Sequence, residues 1–236
     1  MNEPGKGPKT AYVRNMFDLI AEDYDPLNRV ISFGFDVGWR REMVKAMRLA
    51  SDGTALDVAT GTGDVALAIL KIHPESKVVG VDITEGMLDI ARRKARAAGV
   101  SDRADLRVGD VAALDFEDNS FDAVSCAFGM RNFADRAVAL ENIIRVLKPS
   151  GRLAVIEPSL PTRGIFATVF GIYFRKVLPR VGALISDKNA YRYLVQSVAN
   201  FPSPNEFLIE MENAGFARVG YMGLTGGAAT LYVGEA

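Results

Sequence analysis

The run Leu56-Asp57-Val58-Ala59-Thr60-Gly61-Thr62-Gly63-Asp64 joins an apolar stretch bearing one acid to two glycines one residue apart. Roughly twenty residues on, Val78-Val79-Gly80-Val81-Asp82 ends a second apolar stretch on another acid. That order predicts a strand, a tight glycine turn, a helix, and a second strand closing on a carboxylate that accepts both hydroxyls of a ribose. Glycine at Gly61 and Gly63 lets backbone approach a ligand with no Cβ in the way. The same residues, ending at Ala66, also fit the dinucleotide fingerprint. Asp57, inside the first strand, argues against a pyrophosphate, which its carboxylate would repel. It favours a ligand carrying an ammonium and a sulfonium, since opposite charges at ~4 Å attract by several kcal/mol at an intermediate dielectric. S-adenosylmethionine is such a ligand.

The elements that must position these residues are legible from periodicity. Val13, Met16, Phe17, Ile20 and Ala21 recur at three and four, a helical stripe, and a second helix is expected from Trp39 to Leu49. Met1 to Thr10 is polar with two glycines and two prolines, and reads as a loose arm. Strands are expected over 54–59, 77–82, 104–108, 121–127 and 152–157, and helices over 64–72, 85–98 and 134–147. Gly99 is expected to cap the second of these helices in the left-handed region, and Lys148-Pro149-Ser150-Gly151 to stop the third. Helix 204–214 precedes two strand-like runs, Ala217–Met222 and Thr230–Val233, which should pair antiparallel across Leu224-Thr225-Gly226-Gly227. The expected fold is α/β: a doubly wound, mostly parallel sheet closed by an antiparallel C-terminal hairpin. This resembles the Rossmann-like class I fold of S-adenosylmethionine-dependent methyltransferases. In that class an acid after the third strand meets the adenine amino group, which implies this role for Asp110 with Val111.

Composition closes off other chemistries. The chain has 236 residues, 49% of them apolar, and a net charge of −1, so no global field draws nucleic acid. A single histidine, His73, and a single cysteine, Cys126, exclude a His-Cys metal cluster, a convincing Ser-His-Asp triad and an internal disulfide. A metal is not expected. Neither a signal peptide nor an apolar run of the ~20 residues needed to cross a bilayer is evident. The expected location is cytoplasmic, with peripheral contact at the inner face of the membrane.

Several stretches outside the cofactor motif resemble the ubiquinone/menaquinone biosynthesis C-methyltransferase family. They are Tyr24-Asp25-Pro26-Leu27-Asn28-Arg29-Val30-Ile31-Ser32-Phe33-Gly34 through Trp39, and Arg145 to Leu153 with Glu157 and Ser159. To these are added Ala127-Phe128-Gly129-Met130-Arg131-Asn132-Phe133, Ala190-Tyr191-Arg192-Tyr193-Leu194 and Leu224 to Gly227. The likeness runs from about Val13 to Val233. Three departures stand out: Asp36 where the family has His, Ser150 where it has Gly, and Pro158 and Leu160 in place of Phe and Lys. The resemblance implies one methyltransferase domain over 1–236. Its parts are a helical cap (1–50), a cofactor core (51–157), an inserted apolar lid (158–200) and a C-terminal helix and hairpin (201–236). It implies cofactor contacts from Asp57, Thr60, Gly61, Gly63, Asp82, Ile83, Met87, Asp110, Val111 and Ala127, and substrate contacts from Phe128, Tyr191 and Tyr193. Arg131 would stabilise a developing phenolate, Asn132 would bond a ring oxygen, and Tyr24 or Asp25 would relay the proton.

The implied reaction is C-methylation of a polyprenylated hydroquinone, demethylmenaquinol to menaquinol, leaving S-adenosylhomocysteine. Alternatives are the benzoquinol step of ubiquinone synthesis, another lipophilic acceptor, a cofactor-binding subunit inactive by itself, and, more remotely, a nicotinamide oxidoreductase. A homodimer is compatible with the sequence. Between 158 and 187 lies an apolar segment with Phe166, Phe170 and Phe174 beside Arg175, Lys176 and Arg180. It is expected either to pack on the core or, from Gly164 to Ile185, to meet the membrane surface.

Overall fold

Helices α1 (Pro8–Ile20), α2 (Tyr24–Ile31) and α3 (Asp36–Met47) lead into an alternating series. It comprises β1 (Thr54–Val58), α4 (Asp64–Ile72), β2 (Lys77–Asp82), α5 (Glu85–Ala97), β3 (Ala104–Val108), β4 (Phe121–Ala127), α6 (Arg136–Val146) and β5 (Leu147–Pro158). After α7 (Lys188–Ala199) and α8 (Pro204–Asn213) come β6 (Arg218–Leu224) and β7 (Ala229–Glu235). The computed structural model describes residues 7–159 and 188–236, apart from the side chains of 188–191. The expected lobe from Gly164 to Ile185, Leu160 and the side chain of Tyr191 therefore lie outside the described residues.

The described strands form one sheet in the order β3-β2-β1-β4-β5-β7-β6. The first five run parallel, and β7 inserts antiparallel between β5 and β6. The central strands are buried on both faces, so they read as continuous apolar runs. Successive residues serve opposite layers. Leu56, Val58, Val124 and Cys126 pack with Leu140 and Ile143 of α6 and Phe207 and Met211 of α8. On the other face, Ala55, Val78, Ala154 and Ile156 pack with Met43, Val44 and Met47 of α3 and Ile69 and Leu70 of α4. From β1 the chain turns one way to β2 and β3, then returns to β4 on the other side of β1. A crevice opens at the carboxyl ends of β1 and β4, the point where such sheets bind ligands.

Several details differ from expectation, among them α3, which begins at Asp36 and not at Trp39. Pro8, Lys9 and Thr10 belong to α1 and not to a loose arm. Proline is pre-set for the first helical turn, and Thr10 is buried. α2 was not marked by periodicity because none of its residues is fully buried. α6 begins at Arg136, two residues later than expected. Asp135 caps it by accepting from the Ala137 and Val138 amides at 3.0 and 3.2 Å. The Lys148–Gly151 stretch is the opening of β5 and not a spacer. It carries Ser150 at φ 65° and a register shift against β4 between Phe121 and Ala123. Gly99 at φ 67° caps α5 as expected.

Candidate active site

A cavity of about 500 Å³ occupies the crevice. Asp82, at the end of β2, lies on its wall. Its Oδ2 accepts from the Gly61 amide and its Oδ1 from the Thr84 amide, both at 2.9 Å. Each oxygen keeps a lone pair for a ligand hydroxyl. Burial pushes the Asp82 carboxyl up, and the amides of Gly61, Thr84 and Ile83 pull against it. Ile83, Met87, Asp110, Val111 and Ala127 line the same space. Asp110 also accepts from the Ala112 amide at 2.9 Å, capping the turn Val111–Ala113. The two glycines do different work. A Cβ on Gly61 (φ 54°) would meet nothing within 4 Å, so it would stand in open space at the cavity. A Cβ on Gly63 (φ 81°) would lie 2.9 Å from the Ala91 Cβ, so Gly63 lets α5 pack close. Ala59 and Phe128, both cavity residues, hold φ of 52° and 60°, a strained conformation of the kind that collects at ligand sites.

Asp57 and Thr60 are not on the cavity wall; nor is Gly63. The Asp57 carboxylate is 1% exposed. Its Oδ1 accepts from the Ser125 hydroxyl and its Oδ2 from the Thr60 hydroxyl, each at 2.6 Å. Burial raises its pKa to about 6, with both hydroxyls opposing and the nearby Asp82 adding to the rise. Asp57 thus ties the end of β1 to β4 and to the glycine turn.

The facing wall comes from elements far apart in sequence. Tyr24 of α2, Phe128 and Asn132 line it, together with Thr10, Val13 and Phe17 of α1. The Phe17 ring stands edge-on to Tyr24 at 5.8 Å. Burial raises the Tyr24 phenol, and the Arg131 guanidinium pulls it back. Arg131 itself stands behind the wall. Its Nη1 donates to Glu157 Oε2 at 2.8 Å and to the Phe128 carbonyl, and its amide donates to Glu157 Oε1 at 3.2 Å. Both side chains are buried, and burial raises the Glu157 carboxyl against the pull of Arg131. Tyr193 of α7 packs with Met16, Ile20, Phe17 and Tyr24, and its hydroxyl has no hydrogen-bond partner. Asp25 faces elsewhere: its Oδ1 accepts from the Thr62 hydroxyl at 2.6 Å and its Oδ2 from Lys94 at 2.9 Å. Sequence reasoning did not find the α1 wall, because Val13 and Phe17 read as ordinary core stripe. Nor did it pair Glu157 with Arg131, although an acid closing an apolar strand was the available signal.

A profile of the ubiE/COQ5 methyltransferase family matches residues 6–236. The chain belongs to that family. A ubiquinone/menaquinone biosynthesis C-methyltransferase of Geotalea uraniireducens (strain Rf4) is 46% identical, over 98% of this chain and 97% of that protein. A demethylmenaquinone methyltransferase of Thermus thermophilus is 48% identical, over 93% of this chain and 99% of its own length. Solved structures share the fold. A SAM-dependent methyltransferase from Aquifex aeolicus superposes with a TM-score of 0.61 at 22% identity, over 83% of this chain and 88% of that one. Haemonchus contortus phosphoethanolamine N-methyltransferase 2, in complex with S-adenosylmethionine, superposes with 0.59 at 18% identity, over 80% and 39%.

The protein is thus a methyltransferase that uses S-adenosylmethionine, and the cavity fits that cofactor. Asp82 retains capacity to accept from hydroxyls, and Gly61 leaves open space beside it.

Proposed function

We propose that this methyltransferase acts on a ring carbon of a polyprenylated hydroquinone of the demethylmenaquinol type. One observation carries the reading. Asn132 lines the cavity; its Nδ2 donates to the Phe128 carbonyl at 3.3 Å, and its buried Oδ1 has no partner among the described residues. An unpaired buried acceptor calls for a donor. A hydroquinone hydroxyl donates; a quinone carbonyl cannot. Tyr24, held protonated by burial, donates to a ring oxygen and does not take its proton. In this reading that hydroxyl gives its proton to water, the adjacent ring carbon becomes nucleophilic, and preorganised donors lower the cost of the charge; once methylated, that carbon gives its own proton to water and the ring regains aromaticity. Arg131, compensated by Glu157, acts chiefly by fixing Phe128 and Asn132. The cofactor, when bound, supplies an electrophilic methyl group. What remains for the protein is alignment and exclusion of bulk water. Val13, Phe17, Phe133 and Val138 give the site an apolar wall, and Lys9 ties the start of α1 to the Phe133 carbonyl.

Relatives named demethylmenaquinone methyltransferase, from Deinococcus radiodurans and Thermus thermophilus, favour the naphthoquinol ring. A polyprenyl tail requires contact with a bilayer, and no described helix is long and apolar enough to cross one. Phe35 and Val37 are exposed at the start of α3, one turn before the exposed Arg41. That pattern suits the headgroup boundary of an anionic membrane.

The test is the quinone pool of a strain lacking this protein, read by mass spectrometry, together with anaerobic turnover by the purified chain. Demethylated naphthoquinone should accumulate, and the purified chain should methylate the reduced ring and not the oxidised one. A benzoquinone precursor in its place would move the acceptor to the ubiquinone step. An unchanged pool overturns the proposal.

A further inference from the structure

Lys94, on α5, is outside the cavity, yet it joins three separate elements. Its ammonium donates to Asp25 Oδ2 of α2 at 2.9 Å and to Asp64 at the start of α4, and it lies 3.4 Å from the Thr62 hydroxyl between the two loop glycines. Thr62 in turn donates to Asp25 Oδ1 at 2.6 Å, so both Asp25 oxygens are taken. The chain of charges continues. Arg40 of α3 stands 3.4 Å from Asp64 and pairs with Asp36, which also meets Arg29 of α2 at 3.2 Å.

This matters because the Asp25 contacts tie α2 to the glycine loop, while its other holds, Tyr24 against Phe17 and Arg29 with Asp36, lead to α1 and α3. A helix of eight residues is marginal without packing, and none of its residues is fully buried. Its Tyr24 lines the cavity, and Asp25, the next residue, is fastened to the glycine loop. The other side of that loop is fastened to Asp82 through the Gly61 amide. Anything that fixes the loop from the cavity side therefore fixes Asp25, and Asp25 carries Tyr24. With Lys94 removed, Asp25 and Asp64, which share its ammonium, become like charges facing one another, and α2 is pushed off the loop.

We infer that Lys94 is a positioning residue, which with Thr62 and Asp25 couples cofactor binding at the glycine loop to placement of the Tyr24 helix. The coupling itself needs only the cofactor. Its effect on turnover rests on the proposed acceptor role of Tyr24.

Amide hydrogen exchange with S-adenosylhomocysteine as the probe tests the coupling without turnover. In the wild-type chain the product should slow exchange both at 60–64 and at 24–31. In Lys94→Met the slowing at 60–64 should remain and that at 24–31 should be lost, with Lys94→Arg restoring it. Thr62→Val, which deletes only the hydroxyl link, should give the same loss in part, and serves if Lys94→Met does not fold. Turnover of a short-chain 2-prenyl-1,4-naphthoquinol at saturating cofactor should fall about tenfold in kcat for Lys94→Met, and recover in Lys94→Arg. Equal slowing at 24–31 in wild type, Lys94→Met and Thr62→Val overturns the inference. If the wild-type chain does not methylate the naphthoquinol, the acceptor reading fails while the exchange result still decides the coupling.

Discussion

The two sides of the cavity are built by opposite means. The cofactor side, from β1 to β3, uses strand ends, backbone amides and three acids whose oxygens are engaged by amides or hydroxyls. The facing side uses single side chains from α1, α2 and the stretch Phe128–Asn132. Among the described residues, the buried side-chain polar atoms without partners are Arg14 Nε, Asn28 Nδ2, Arg40 Nε, Arg131 Nε, Asn132 Oδ1 and Tyr193 Oη. All belong to α1, α2, α3, α7 and that stretch; none lies between β1 and β3. Buried polar atoms are normally satisfied; of these residues only Asn132 lines the cavity, and the others stand behind it. The strand-end side is thus satisfied by its own backbone and hydroxyls, whereas the helical side keeps unpaired polar atoms.

The sharpest way to break this contrast is at the buried pair behind the acceptor wall. Arg131→Gln strands the Glu157 charge, and should lower stability by about 3–5 kcal/mol. Arg131→Gln with Glu157→Gln should recover most of it. Urea unfolding reads both, and a single variant within about 1 kcal/mol of wild type would show that the wall does not depend on the pair.

On the cofactor side the largest effect should be one of pH. Asp57 has a folded pKa of about 6 against 3.8 unfolded. Between those values the folded state binds more protons at this group than the unfolded one, so Asp57's contribution to stability is greatest below pH 4 and falls as pH rises to 6. The loss totals about 3 kcal/mol. Asp57→Asn, which keeps the shape and has no charge, should flatten that slope in a pH series of melts. A slope unchanged in the variant would assign it to other groups.

Next in size, Asp82→Ala should weaken S-adenosylmethionine binding by roughly 1.5–3 kcal/mol, the scale of hydrogen bonds to a charged acceptor. Titration calorimetry measures it, and equal affinities would remove Asp82 from the ribose. The smallest effects should separate the two glycines. Gly63→Ala meets Ala91 and should cost about 1–3 kcal/mol of stability by overpacking. Gly61→Ala should cost only about 1 kcal/mol for its left-handed backbone while weakening cofactor binding. The reverse pattern would mean that the roles assigned to the two positions are exchanged.

The sequence alone determined the parts whose cause is local. Alternating apolar runs and turn residues specified β1 to β4 and α4, α5 and α8, because periodicity and capping act within a few residues of chain. Asp82 and Gly61 were legible for the same reason: a strand, a turn and a second strand adjacent in sequence must be adjacent in space. Only the tertiary structure decided that Asp57 turns inward to two hydroxyls, that Arg131 is tied to Glu157, and that Asp25 is held by Lys94 and Thr62. Apart from the Asp57–Thr60 bond, those contacts join residues 26 to 69 positions apart. An isolated acid or base in the sequence carries no mark of which partner packing will bring to it. The α1 wall was hidden likewise, since an apolar stripe looks the same whether it covers core or a ligand. What distinguishes the two is the empty volume beneath it, and that exists only once the sheet, α1 and the turn after β4 have come together.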